Sequence, residues 1–247
     1  MKKALAFLAL ALSLSGCIAH SVILGQTAAP VGAGNGEVGL SVGAGYSSTT
    51  TTQPPNGITP QSSSTSSGFS FPALEGNAAY GVSDAISLNL HGSRAGVQPG
   101  VKLTLLNGDL KLAILPSVAF GVTQTSNTAS SNSSNNNSST AWNVLAGARV
   151  IVSYGGGYGA AGYDFYYSHS GDDTTTDTVI LHTIAFAIGY LSQGGPMRVG
   201  IEADAFFSPA GSTSTTSNNM PSNGQPSSVT DWGVLVAVTL QARAVSH

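Results

Sequence analysis

Residues 85–93 read Ala-Ile-Ser-Leu-Asn-Leu-His-Gly-Ser. Ile86, Leu88 and Leu90 alternate with Ser87, Asn89 and His91. A period of two is the strand period, because successive side chains leave a pleated backbone on opposite faces. The same alternation extends in both directions. Upstream, Glu37–Tyr46 carries Val38, Leu40, Val42, Ala44 and Tyr46 on one phase, and Phe69–Val82 shifts phase near Pro72 as a bulge would. Downstream, seven further stretches repeat it: 97–105, 110–125, 142–154, 158–168, 178–191, 197–207 and 229–243. No amphipathic helix of useful length interrupts them.

The connections alternate as well. Those after the second, fourth, sixth and eighth stretches are tight and rich in hairpin-turn residues: Ser83-Asp84, Asn107-Gly108-Asp109, Gly155 to Gly157 and Gln193 to Pro196. Those after odd stretches include three low-complexity runs, Ser47–Gly68, Ser126–Ser139 and Gly211–Ser228, made largely of Ser, Thr, Asn and Pro. These read as loops, with Arg94–Gly96 and Gly171–Asp177 as shorter ones. Short turns at one rim and long loops at the other are the signature of an antiparallel up-and-down transmembrane β-barrel, here of about ten strands.

Composition narrows the function classes. The chain has 247 residues, of which 8% are charged, against roughly 25% for an average soluble domain. Mean hydropathy is only +0.16, too low for a bundle of membrane helices. The missing charge is replaced by 31 glycines and by hydroxyl and amide residues. Eight Lys and Arg give no basic footprint for nucleic acid. One cysteine excludes an intrachain disulfide framework and a thiolate cluster.

Charge position decides between a membrane barrel and a soluble one. Setting aside Lys2 and Lys3 leaves 17 charged residues. Six fall in turns and loops: Asp84, Arg94, Asp109, Asp172, Asp173 and Asp177. The other eleven fall in strands, all on the non-apolar phase: Glu37, Glu75, Lys102, Lys111, Arg149, Asp164, Arg198, Glu202, Asp204, Asp231 and Arg243. A water-facing surface of ten strands needs many more charges than that. A narrow lumen holds few charges, paired and set among Gly and Ala. Glu75, His91, Lys102, Arg149, Asp164, Arg198, Glu202, Asp204 and Asp231 are therefore expected to form a lumenal network. Arg149 should meet Asp164 across its hairpin, and His91 should lie beside Glu75. The apolar phase puts Tyr46, Tyr80, Trp142, Tyr154, Tyr190 and Trp232 near strand ends, where aromatic girdles meet the bilayer interfaces. Ten strands leave little free lumen, so the interior should be mostly filled.

The N-terminus reads as an export signal. Lys2 and Lys3 precede a mostly apolar run, Ala4 to Leu14, too short to span a bilayer as a helix. Leu14-Ser15-Gly16-Cys17 follows and resembles the lipobox of bacterial lipoproteins. The resemblance implies cleavage before Cys17 and covalent attachment of diacylglycerol and a further acyl chain to that residue. It divides the chain into a signal peptide (1–16), a lipidated Cys and small-residue linker (17–36) and a barrel (37–247). Ile18, where some lipoproteins carry an Asp retention signal, implies sorting to the outer membrane. The barrel resembles the small outer-membrane β-barrel proteins of Gram-negative bacteria, with outer-membrane lipids as its surroundings and a structural or surface-interaction role. It departs from them in ending Arg243-Ala244-Val245-Ser246-His247 rather than on an aromatic residue.

Three alternatives follow from the same residues. A periplasmic lipoprotein with a soluble β-sandwich or barrel, binding a lipid-like ligand, would turn Leu88, Leu103 and Val236 inward. A narrow channel would use the lumenal charges as a solute path. A rim hydrolase would use His169 and His182 around Asp172, Asp173 and Asp177, with Ser168 and Ser170 nearby. Polar residues at a wet rim are the plainer reading of that last group. The sequence contains no GxSxG, HExxH or P-loop. Gly32-Ala33-Gly34 and Gly43-Ala44-Gly45 open no helix and so form no dinucleotide site. No catalytic set, metal site or cofactor is expected. The Ser/Thr/Asn loops read as surface display or as tolerated padding.

Overall fold

A computed structural model describes residues 25–55, 61–93, 96–126, 138–171, 175–217 and 226–244. Ten antiparallel strands close into one barrel. They are β1 (Gly36–Gln53), β2 (Ser62–Gly81), β3 (Ile86–Ser93), β4 (Gly96–Asn107), β5 (Leu110–Ser126), β6 (Ser138–Tyr154), β7 (Gly157–Gly171), β8 (Thr175–Leu191), β9 (Met197–Ser217) and β10 (Ser227–Ala244). Each strand pairs with its sequence neighbours, and β1 closes on β10 from Gly36↔Ala244 to Thr52↔Ser228. Closure leaves no edge strand, although β3 and β4 are short, so β2 before Gly76 pairs with β1 alone and β5 beyond Ser117 with β6 alone. No described helix is long and apolar enough to cross a membrane.

The apolar phase faces outward. Leu88 is 51% exposed, Leu103 36% and Val236 52%, the opposite of what a soluble barrel with a greasy interior requires. The polar phase faces inward. Lys102, Glu202, Gln241, Thr183 and Ser208 are fully enclosed. In a closed barrel with nothing packed outside it, enclosure means the lumen. A polar interior beneath an apolar outer wall is the arrangement of a lipid-solvated barrel.

Two aromatic rings bound the outer wall. Tyr80, Tyr154 and Tyr190 lie at the short-turn rim, each exposed and next to a turn. At the other end Tyr46 stacks on Trp232 with ring centroids 5.6 Å apart, and Trp142 on Tyr167 at 5.1 Å. Twelve residues separate Trp142 from Tyr154 on β6. At about 3.3 Å per residue and a tilt near 40°, that is roughly 30 Å along the barrel axis, close to a bilayer's hydrocarbon thickness.

The strands differ from the sequence expectation in two ways. First, much of what reads as loop is strand. β1 runs through Thr49–Gln53, β2 starts at Ser62, and β9 continues to Ser217. Thr49↔Ser66, Thr50↔Thr65 and Thr51↔Ser64 are paired, and Thr50 shares a 3.0 Å hydroxyl hydrogen bond with Thr65. Ser and Thr composition signals low complexity but not loop: threonine is β-branched and pairs well across strands, and Pro54 and Pro55 stand outside the paired region. Asp177 likewise lies on β8 opposite Ser170, not in a loop. Second, 25–35 is not an external linker, as described below. The expected irregularity near Pro72 is a register shift between Gly43 and Gly45 of β1. Cys17, Arg94, Asp172 and Asp173 lie outside the described residues.

Candidate functional site

The polar phase of the strands brings the lumenal side chains together. Arg149 (β6) and Asp164 (β7) form a two-pronged ion pair, Nη1 to Oδ1 at 2.8 Å and Nη2 to Oδ2 at 2.5 Å. His91 Nε2 lies 2.9 Å from Glu75 Oε2, because Asn77↔His91 pairing sets their strands in that register. Glu37, one residue from the rim, meets Arg198 Nη1 at 3.5 Å and Arg243 Nε at 3.6 Å. Gln241 Nε2 adds a 3.4 Å bond to the same carboxylate. Asp231 accepts from Thr49 at 3.0 Å. Hydroxyl pairs fill the gaps: Ser41 with Thr239 at 2.7 Å, Thr183 with Ser208 at 2.6 Å. Charges removed from water are tolerable only when paired in this way.

Glu202 and Asp204, two residues apart on β9, depart from simple pairing. Glu202 accepts from the Tyr158 hydroxyl and from the backbone N–H of Gly25. Asp204 is 4% exposed, and neither carboxylate oxygen has a hydrogen-bond donor among the described residues. A buried carboxylate in that state marks a place where a proton, water or cation is needed.

Residues 25–32 lie inside the barrel and 33–35 at its short-turn rim, which sequence reading missed. Gly25 N–H bonds Glu202, and Asn77 Nδ2 reaches Gly25 O at 3.3 Å. Lys102 Nζ bonds the carbonyls of Thr27 at 3.2 Å and Ala29 at 2.9 Å. Arg243 Nη2 bonds Val31 O at 2.6 Å. Gly34 N–H and Asn35 O pair with the backbone of Gly81. Ala28 joins a buried apolar cluster with inward-facing Ala113, Leu115, Ile151, Tyr158 and Leu191. Gly81 permits this contact, since a Cβ there would stand 1.8 Å from Gly32 O. The sequence signals were indirect: a lysine, Lys102, on a lumenal phase, and glycines at 25, 32 and 34, which the structure places at positive φ.

Among the described residues, the rim histidines meet no carboxylate or serine as hydrogen-bond partner. His169 and His182 both sit on the outward phase. His169 Nδ1 lies 3.2 Å from Thr178 Oγ1 and its ring leans on Trp142. His182 Nδ1 is 2.5 Å from the Tyr163 hydroxyl, with the Phe165 ring beside it. His182 thus keeps a polar partner on the apolar wall, which explains its place there. Among the described residues no group of three His, Cys, Asp or Glu is arranged to hold a metal.

No protein-family model matches the chain, and no curated protein resembles it in sequence. Solved structures do resemble it in shape. The outer membrane protease OmpT of Escherichia coli superposes with a TM-score of 0.53 at 12% identity, over 85% of this chain and 97% of that one. The outer membrane protein OprG of Pseudomonas aeruginosa gives 0.37 at 11% identity, over 86% and 98%. At such identity the first likeness speaks to architecture and not to activity. The chain is a closed, all-β, ten-stranded antiparallel barrel of the kind found in bacterial outer membranes.

Proposed function

We propose that this protein is a lipid-anchored outer-membrane barrel with a sealed lumen, whose role is structural and interactive at the cell surface. The observation that carries this reading is the pair of polar ribbons beyond the upper aromatic ring. From Tyr46 to Gln53, β1 continues for seven residues, about 18 Å of rise at the same tilt. Its partner β2 is exposed from Ser62 through Phe69 and carries no charge there. Strands that long are not needed to cross a bilayer, and they project a hydroxyl-lined surface outward. The paired and enclosed lumen supports a resting state without solute flow. Attachment of diacylglycerol and acyl chain through Cys17 rests on the lipobox resemblance, and several acyl chains on one residue hold firmly, at ~0.8 kcal/mol per buried CH₂.

Two measurements on intact cells test it. Proteinase K applied from outside should cut within 54–61 or 218–226 while leaving the wall intact; trypsin has no Lys or Arg to cut in either segment. Radiolabelled palmitate should enter the wild type and not Cys17→Ala. Complete protection from external protease would overturn the surface role, and label retained by Cys17→Ala would overturn the anchor.

A further inference from the structure

The lumen is closed largely by a segment that does not belong to the wall. We infer that Gly25–Asn35 is a removable stopper, and that the lumen it occupies passes small inorganic ions when the stopper withdraws. The inference rests on the sealed-barrel reading for its resting state and adds an activity to it.

The attachments of this segment are the first argument. Over residues 25–33 its hydrogen bonds to the wall run between side chain and backbone: Glu202 and Asp84 each accept from an N–H, Lys102 donates to two carbonyls, and Asn77, Thr104 and Arg243 donate to one each. Backbone pairing with the wall is confined to Gly34 and Asn35 at Gly81. A segment gripped this way opens without unzipping any ladder. Its apolar contribution is also slight, since Ala28 and Val31 are its fully buried apolar side chains. A permanent core would present larger ones.

The second argument is what withdrawal leaves behind. The wall's own ion pairs, Arg149–Asp164, Glu75–His91 and Glu37 with Arg198 and Arg243, do not involve the segment and stay formed. The groups that lose a partner are Lys102, Glu202, Arg243, Asn77, Thr104 and Asp84, all polar and readily hydrated. Water entering the vacated space replaces what the segment supplied. The charged and hydroxyl groups then keep the lumen hydrated, beside the small apolar cluster that Ala28 uncovers.

The third argument is the hinge. Gly32 and Gly34 have φ of 84° and 73°, and Asn35 N–H closes a turn onto Gly32 O at 3.1 Å. Left-handed glycines next to the first strand allow the segment to swing about its base at the short-turn rim.

Single-channel recording of the purified full-length protein in planar bilayers tests this. The wild type should be nearly silent. Lys102→Met, which removes two grips, and Gly81→Ala, whose methyl displaces Gly32, should each raise the frequency of conducting steps by about tenfold or more; Lys102→Arg should restore silence. Folding is checked by heat-modifiable gel mobility. Folded variants that stay silent overturn the stopper. A wild type that conducts steadily overturns the sealed reading instead. If the variants do not fold, hydrogen exchange on the wild type decides. Amides of 25–33 exchanging about 100-fold faster than those of β5 to β8 support withdrawal, and equally slow exchange refutes it.

Discussion

Asp164 takes both terminal nitrogens of Arg149 across the β6–β7 ladder, and each partner lies over a glycine of the other strand. Gly147 stands opposite Asp164 and Gly162 opposite Arg149. A Cβ on Gly147 would fall 1.9 Å from Asp164 Oδ1, and one on Gly162 would fall 2.3 Å from Arg149 Cδ. The two glycines are the floor on which the ion pair lies flat.

Breaking the pair on one side should therefore be costly. Asp164→Ala leaves Arg149 charged and enclosed, and removing one partner of a buried pair costs about 3–5 kcal/mol. Arg149→Met with Asp164→Leu should recover much of that loss. Gly147→Ala should cost about 1–3 kcal/mol through overpacking alone. Urea unfolding of the barrel in phospholipid vesicles measures all three; a single variant as stable as wild type would contradict the pairing.

The outer wall should reject charge according to depth. Val236 lies midway along the apolar run of β10 from Trp232 to Leu240 and is 52% exposed. Val236→Arg should destabilise the vesicle-inserted barrel by about 2–4 kcal/mol. Ser66→Arg, on the projecting ribbon, should stay within about 0.5 kcal/mol. Equal tolerance at both positions would argue for a wall facing water.

Fluorescence should report a single depth. The chain has two tryptophans, Trp142 and Trp232, both in the upper aromatic ring. Lipids brominated near the headgroup should quench emission more strongly than lipids brominated near the chain ends. Strongest quenching from the bilayer centre would displace the membrane boundaries drawn above.

Tyr158 should matter through Glu202. Tyr158→Phe keeps the ring in the apolar cluster and removes one donor from a fully enclosed carboxylate. The expected loss is about 1–3 kcal/mol. Exchange at the Gly25 amide, bound to the same oxygen, should change with it. An unchanged Gly25 amide would separate the two bonds.

Much of this arrangement is legible in the sequence. Alternation at Ile86, Leu88 and Leu90 assigned a face to each residue, and the position of eleven strand charges on one phase assigned that face to the lumen. Pairing of Arg149 with Asp164 followed from a short turn at Gly155–Gly156, since hairpin length sets register. The reading failed where composition stood in for pattern. Ser and Thr in 47–53 and 62–68 have no hydrophobic alternation to reveal a strand, because both faces of that ribbon are wet. The glycines and alanines before Gly36 looked like spacer because small side chains carry no alternation, although Ala28 and Val31 are buried.

By itself the sequence determined the number of strands, their two faces and the alternation of tight and long connections. These are local properties, fixed by a two-residue period and by turn chemistry. Tertiary structure alone decided what fills the barrel. Gly25 meets Glu202 across 177 residues of chain, and Arg243 meets Val31 across 212. Such contacts form only once β1 has closed on β10. Closure creates an enclosed space in which a lysine without a carboxylate partner must find carbonyl oxygens, and the chain's own N-terminal segment supplies them.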